Sequence, residues 1–355
     1  MNILDYFYTN PPKIENFYPR KFNFPIKNSF KLVGARGVGK SAIIINYLMN
    51  LKKDSYLYLD CQDPIFILEF LDVIELEKFI KHENIELLVL DHYFEGFLEN
   101  LPKVNRIIII SNTQNSINLP LFTLFPLDFE EFLNFSKKQN STSAFNIYTK
   151  RGSLPKLSKS SDTISFSREL FFEKFEAQEG KVLLILAIFH AKITTPNQIY
   201  LRAKDYFKIS KDWLYKTIKN FEKEGIIYKI ETLEKGFGKK LLLYDFAFSK
   251  YLNKYQSFLA TIDSIIALAL IKHNINIKAI INPLGYLTDK NELILISPFE
   301  SEETTWSKIQ KNFGFYTKLN PKKVTIVTVS NSYNFKINNL NFNAIPFSEW
   351  LIEVS

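Results

Sequence analysis

Cysteine is nearly missing from this chain: Cys61 is the only one in 355 residues. One thiol cannot close an internal disulfide, so no disulfide framework is expected, and a reducing cytoplasm is the expected setting. Histidine is almost as scarce, with four scattered residues and none at metal-ligand spacing. Long hydrophobic runs are lacking too. The longest, "VLLILAIF" at 182–189, is about half the roughly 18 to 20 residues a membrane span needs, and reads as a buried helix. The first residues, "MNILDYFYTNPPKIENFYPRKF", show no small-residue cleavage pattern, so no signal peptide and no membrane partner are expected.

What is present is ordinary core-forming material. Hydrophobic residues make up 46% of the chain, enough for a globular protein, and the length suits two or three domains. The formal charge of +8 invites a nucleic-acid partner, but a composition rich in Lys, Asn, Ile and Phe explains the same number.

The informative stretch is "FKLVGARGVGKSAIIINYLM", Phe30 to Met49. "GARGVGKS" fits the pattern G-x-x-x-x-G-K-[ST] through Gly34, Gly39, Lys40 and Ser41. A short apolar strand precedes it and an apolar helix follows at once, which is the context that pattern requires. Glycine lets backbone N–H groups turn inward around a phosphate where a Cβ would clash. The residues expected to hold a nucleotide are Gly34, Ala35, Arg36, Gly37, Val38, Gly39, Lys40, Ser41 and Ala42. Lys40 would bridge the β- and γ-phosphates, Ser41 would ligate Mg²⁺, and the helix would present its positive end to the anion. ATP and Mg²⁺ are the expected cofactors.

Further strands read as "SYLYLDC", "IELLVLD" and "NRIIIISN", with "ILEFLDVIELEKFIKH" as a helical stretch between the first two. Strands alternating with helices at these lengths predict a parallel, doubly wound sheet. Asp91 closes "IELLVLD", expected beside the P-loop strand, where a P-loop enzyme holds Mg²⁺ through water. Ser111 and Asn112 close "NRIIIISN" and are sensor candidates for the γ-phosphate or the attacking water, although Ser-Asn is also common loop chemistry.

The stretches "GARGVGKSA", "YLYLDCQDP", "LLVLDHYFEG", "IIIISNT", "LFPLDFEEFLNF" and "YTKRGSLPKL" resemble the prokaryotic AAA-type ATPases called archaeal-type ATPases. "PLDFEEF", Pro126 to Phe132, is the hallmark more specific than the P-loop. The resemblance implies an α/β chain in four parts: a P-loop ATPase core at 1–120, a helical lid and linker at 121–170, a winged helix at 171–255, and a restriction-endonuclease-like α/β domain at 256–355. It covers roughly the first 250 residues. The family has Asp-Glu where this chain has Asp91-His92, and that glutamate polarises the attacking water. Asp91, His92 and Glu95 are therefore the catalytic candidates, with Glu95 expected one helical turn on, and slow turnover or a nucleotide-gated switch follows. No arginine finger can be chosen among Arg36, Arg106, Arg151 and Arg168. Many AAA-type proteins form rings, so self-association stays open.

After the polar stretch "KLSKSSDTISFS", a helix "GKVLLILAIFHAKI" is followed by "TTPNQIYLRAKDYF", with Thr195 as N-cap and Pro196 at the first helical position. "ISKDWLYKTIKNFEKEG" runs from a Ser210 cap to a Gly225 stop, with Leu214, Ile218 and Phe221 on one face. Two strands about a glycine-containing loop complete a winged helix-turn-helix. Its DNA-binding candidates are Lys211, Tyr215, Lys216, Lys219 and Lys223 on the third helix and Lys235, Lys239 and Lys240 on the wing. Lysine is also the default on any solvated helix face, and Trp213 reads as packing.

The final third reads helix, strands, helix, strand, the order of a restriction-endonuclease-like fold. A working nuclease of that type needs an acid on one strand and acid–x–lysine on the next. In "ILISPF" those last two places hold Ser297 and Phe299, while Asp289 and Glu292 fall in a turn, so the domain is expected to be an inert scaffold. Two alternatives remain: a winged-helix DNA-binding regulator with a vestigial nucleotide site, and an active ATP-dependent nuclease.

Overall fold

A computed structural model describes residues 3–354, apart from 16, 18, 24, 26, 137–140, 160, 161 and 235. Its contacts divide the chain into two units: Met1–Pro126 with Lys223–Gly225, and Leu127–Glu222 with Ile226–Ser355.

The first unit contains α1 (Ile3–Thr9), β1 (Phe30–Val33), α2 (Lys40–Leu48), β2 (Tyr56–Asp60), α3 (Val73–His82), β3 (Leu87–Asp91), β4 (Arg106–Ile110) and β5 (Leu121–Thr123). The strands form one sheet in the order β2-β3-β4-β1-β5, parallel at every pairing. This is the arrangement of a P-loop NTPase core. Strands β1 and β3 are buried along their whole length, as apolar strands covered on both faces must be. Leu57, Leu59, Leu88, Leu90, Ile107 and Ile109 pack with Leu4 and Phe7 of α1 into one core. Each such side chain contributes about 1.5 to 3 kcal/mol on leaving water.

Two sequence expectations need correction here. Asp91 does not lie on the strand next to the P-loop strand, because β4 pairs with β1 and separates it from β3. The helical stretch after "SYLYLDC" is shorter than expected. Pro64–Ile67 form a single 3₁₀ turn, and α3 begins only at Val73, where the Asp72 side chain accepts from the Ile74 amide.

The second unit begins with α4 (Phe129–Ser136), α5 (Ser141–Arg151), α6 (Pro155–Lys159) and α7 (Thr163–Lys174), so helices enter the polar stretch 156–167 from both ends. Next come α8 (Ala177–Ile188), β6 (Lys192–Thr194), α9 (Pro196–Lys204), α10 (Lys211–Lys223), β7 (Ile227–Ile230) and β8 (Lys239–Leu243). The three strands form an antiparallel sheet in the order β6-β8-β7. Thr195 caps α9 through a capping box with Gln198, and Ser210 accepts from the Trp213 amide at the head of α10. Leu214, Ile218 and Phe221 are all buried.

Last come α11 (Phe246–Leu252), α12 (Phe258–Lys272), β9 (Ile277–Ile280), β10 (Gly285–Thr288), β11 (Glu292–Ile296), α13 (Glu302–Lys311), α14 (Phe313–Leu319), β12 (Lys323–Thr328), β13 (Tyr333–Ile337), β14 (Leu340–Pro346) and α15 (Phe347–Val354). "IKAIINPLGYLT" is two antiparallel strands, not one, and a hairpin β13–β14 unseen in the sequence extends the sheet to β13-β14-β12-β11-β10-β9. One core joins Phe129, Phe132 and Tyr148 to Phe246, Ile266, Tyr286 and Trp350, so α4–α5, α11–α12 and the last sheet bury surface together.

The stretch "PLDFEEF" has a structural role. Asp128 accepts from the Glu131 amide at 2.6 Å, and Glu131 accepts from the Asp128 amide at 3.0 Å. Lys272 of α12 reaches both carboxylates, at 3.3 and 2.8 Å. "KRGSL" is structural too: the buried Asp245 carboxylate accepts from the Ser153 amide and hydroxyl and from the Leu154 amide.

Candidate nucleotide site

Strand β1 delivers the chain into the loop 34–39, where all three glycines, Gly34, Gly37 and Gly39, take positive φ. Gly34 has φ +150°, and a Cβ there would lie 2.3 Å from the Leu124 carbonyl oxygen. Gly39 sits in the left-handed region at φ 96° and opens α2, with no side-chain cap on that helix end. The first-turn amides and positive end of such a helix are suited to an anion. Ala35 and Val38 are buried, while Arg36, Gly37, Gly39, Ser41 and Ala42 are half-buried.

Lys40 is 7% exposed, and its ammonium donates to the Gly34 and Ala35 carbonyls at 2.7 and 3.0 Å and to Asn112 Oδ1 at 3.0 Å. Asn112 is thus brought to the P-loop lysine. Ser111 is not: its hydroxyl donates to the Thr113 carbonyl at 2.7 Å. Arg36 makes a two-pronged ion pair with Glu224, at 2.8 and 2.9 Å, within the first unit. Arg20, which belongs to no sequence motif, donates to the carbonyls of Val38 and Phe125 and so ties the loop to the segment after β5.

At the same sheet edge Asp91 is fully buried. Tyr58 donates a short hydrogen bond to its Oδ2, and the His92 amide donates to its Oδ1 at 2.7 Å. Burial, then the charge of Asp91, pushes the Tyr58 phenol far up, so it remains a donor. Register places Asp60 of β2 opposite Asp91. His92 has φ 52°, and its Nδ1 lies 2.8 Å from Asp60 Oδ1. The sequence missed Tyr58 and Asp60; the only available signal was a second acid ending a neighbouring apolar strand. Glu95 stands apart. It lies in a turn instead of on a helix and is exposed, and hydrogen bonds from the Ser116 hydroxyl and then its amide lower its pKa.

The other predicted sites fall in the second unit. Lys211, Lys216, Lys219 and Lys239 are exposed and Tyr215 is half-buried; Lys223 is exposed too, although it clusters with the first unit. Lys235 lies outside the described residues. Lys240 does not face out. It is 3% exposed and bound to Asp263 at 2.6 Å and to the Tyr286 hydroxyl at 3.0 Å, because β8 turns that position toward α12 and β10. Asp289 is exposed and accepts from the Asn276 side chain. Ser297 and Phe299 follow β11, with Phe299 exposed. Among the described residues, no group of three or more His, Cys, Asp or Glu could hold a metal ion, and no helix is long and apolar enough to cross a membrane.

Neither a protein-family model nor a curated protein sequence matches this chain. Among solved structures it is similar to the Walker-type ATPase PABY2304 of Pyrococcus abyssi, at 14% identity and TM-score 0.42 over 63% of this chain and 90% of that one. It is also similar to the Aeropyrum pernix ORC1 protein in complex with DNA, at 11% identity and TM-score 0.33 over 64% and 87% of the two chains. Drosophila ORC bound to AT-rich DNA and Cdc6 matches at 14% identity and TM-score 0.21, over 65% and 87%. Likenesses at this level are of outline alone and say nothing of what this chain binds.

Proposed function

We propose that this chain is an AAA-type P-loop ATPase that binds Mg-ATP at residues 34–42 and turns it over slowly, as a nucleotide-gated switch. The observation that carries the reading is the meeting of Lys40 and Asn112 at 3.0 Å below a loop whose first glycine admits no Cβ. The amides of 37–41 fit a β-phosphate, and Lys40 would exchange the carbonyls of Gly34 and Ala35 for phosphate oxygens. Ser41 and Asp91 would hold Mg²⁺, which when bound neutralises charge across the phosphates. Asp91 keeps the Tyr58 and His92 donors, which fix its orientation. His92 stands where the family carries glutamate. Asp60 holds His92 by Nδ1 at 2.8 Å, and an imidazole in place of that glutamate favours slow turnover.

Titration of Mg-ATP against wild type and Lys40→Ala tests the binding site. Wild type should bind and the variant should lose at least tenfold in affinity; equal affinity would overturn the reading. Phosphate release should fall to background in Asp91→Asn and drop at least tenfold in His92→Ala.

A second reading adds DNA. The elements α8 to β8 follow the order of a winged helix, and a groove of about 620 Å³ between α9, α10 and the wing is lined by Tyr215, Lys219, Lys239 and the exposed Phe237. Lys211, Lys216, Lys219 and Lys239 would contact phosphates, so retention of duplex DNA should weaken steeply between 50 and 200 mM salt. A flat salt response would argue against it. The last sheet is proposed as an inert scaffold; metal-dependent plasmid cutting lost in Asp289→Ala would show otherwise.

A further inference from the structure

The second unit contains a larger cavity that no role above uses. It measures about 820 Å³ and lies where the end of α8, β6 and α9 meet the α11–α12 connection and the β9–β10 turn. Three cations line it, Lys192, Arg202 and Lys254. One acid lines it, Asp263, and that carboxylate is already engaged by Lys240 at 2.6 Å and by the Tyr286 hydroxyl at 2.6 Å. Lys240 and Asp263 are each 3% exposed, so the pair neutralises itself behind the wall. Arg202 is shared with Asp205 at 3.2 Å, on the solvent side where Asp205 is mostly exposed. The balance of charge facing the cavity is positive.

His190 supplies a second, independent observation. It lines the cavity and is 2% exposed. Its Nδ1 accepts from the Leu243 amide at 3.0 Å, so the ring proton of the neutral form sits on Nε2. That Nε2–H is buried and has no hydrogen-bond partner among the described residues. A buried donor without an acceptor is costly to a fold and is found where something else supplies the acceptor. Burial, then Lys240, pushes the imidazole down to about 3, so the donor persists at every physiological pH. Leu252, Leu259 and Leu284 give the remaining wall an apolar character.

We propose that this cavity binds a small organic anion: a phosphate or carboxylate for Lys192, Arg202 and Lys254, on a planar or apolar body that fills the leucine-lined part. The ligand provides the acceptor that His190 Nε2–H lacks. An inorganic ion alone fits poorly, since it would leave the apolar wall and most of the volume uncovered.

The chain has only four histidines, His82, His92, His190 and His273, so ring-¹⁵N labelling of the full chain gives four resolvable imidazoles. Substituting His82, His92 and His273 by Gln in turn assigns them. His92 reports on the P-loop site and His190 on the cavity, which keeps failure of one reading separate from failure of the other. The probes are adenosine 5′-monophosphate, benzoate and inorganic phosphate, each taken to 10 mM. Adenosine monophosphate or benzoate should shift the His190 Nε2–H signal saturably, and Arg202→Ala and Lys192→Ala should each raise the half-saturating concentration at least tenfold. An unchanged His190 shift in the ligand-free variants certifies the fold. Silence at His190 with all three probes overturns the proposal. So does a shift with inorganic phosphate as large as with the organic anions, which would mean an adventitious ion only. A shift that both variants leave unaltered, or one confined to His92, likewise overturns it.

Discussion

Gly34 sits where a methyl group has no room. Its Cβ would meet the Leu124 carbonyl at 2.3 Å, a backbone atom that cannot swing aside. Gly34→Ala should therefore lower unfolding stability by about 2 kcal/mol or more and weaken Mg-ATP binding with it; chemical denaturation and calorimetric titration measure the two. His190 makes a residue-scale prediction in pH. The folded ring takes its proton only near pH 3, whereas the unfolded chain takes it near 6.5. The unfolded state thus binds more protons in that interval, so stability is full above about 6.5 and is lost as pH falls toward 3. Between pH 7.5 and 4.5 wild type should lose about 2 kcal/mol more than His190→Gln, read by urea denaturation at each pH. A parallel loss in both proteins would contradict the assignment of a buried neutral ring.

Among the elements, α4 shows how a run of acids can serve the fold. Asp128 and Glu131 form the reciprocal cap of α4, and both accept from Lys272 near the end of α12. Removing the ammonium leaves two carboxylates, each almost wholly buried, with their compensating cation gone. Lys272→Met should destabilise the second unit by about 3 kcal/mol, while Lys272→Arg should recover part of the loss, as thermal melts would show. Elements were legible in the sequence wherever local rules decided them. The P-loop strand, the Thr195 cap and the Leu214–Ile218–Phe221 face follow from neighbours three or four residues away. The hairpin β13–β14 was not legible, because "YNFKI" alternates only partly and its register depends on pairing with β12 through β14. Glu95 was misplaced because a turn follows β3 where a helix was expected.

At the scale of the whole molecule, two contact units carry separate reporters. Trp213, Trp306 and Trp350 all lie in the second unit, and the P-loop lies in the first. Ligand that binds only a folded site stabilises it by about 2.7 kcal/mol at a hundredfold excess over Kd. Mg-ATP should therefore raise the melting transition seen by far-ultraviolet dichroism while leaving the tryptophan-detected transition in place, and Lys40→Ala should abolish that shift. Equal displacement of both signals would show that the two units unfold as one.

The sequence by itself determined the parallel sheet, the glycine loop and the acid at the end of β3, because each depends on apolar runs and turn residues contiguous in the chain. Tertiary structure alone decided which side chains meet. His92 finds Asp60 across 32 positions, Lys240 finds Asp263 across 23, and Lys272 finds Glu131 across 141. Such pairs form only where strand register and helix packing bring charges into the same buried space, where leaving one unpaired is expensive. That is why Lys240, read as a wing lysine for DNA, is instead held in the interior beside His190, and why the base candidate His92 comes with a carboxylate partner that no local pattern announced.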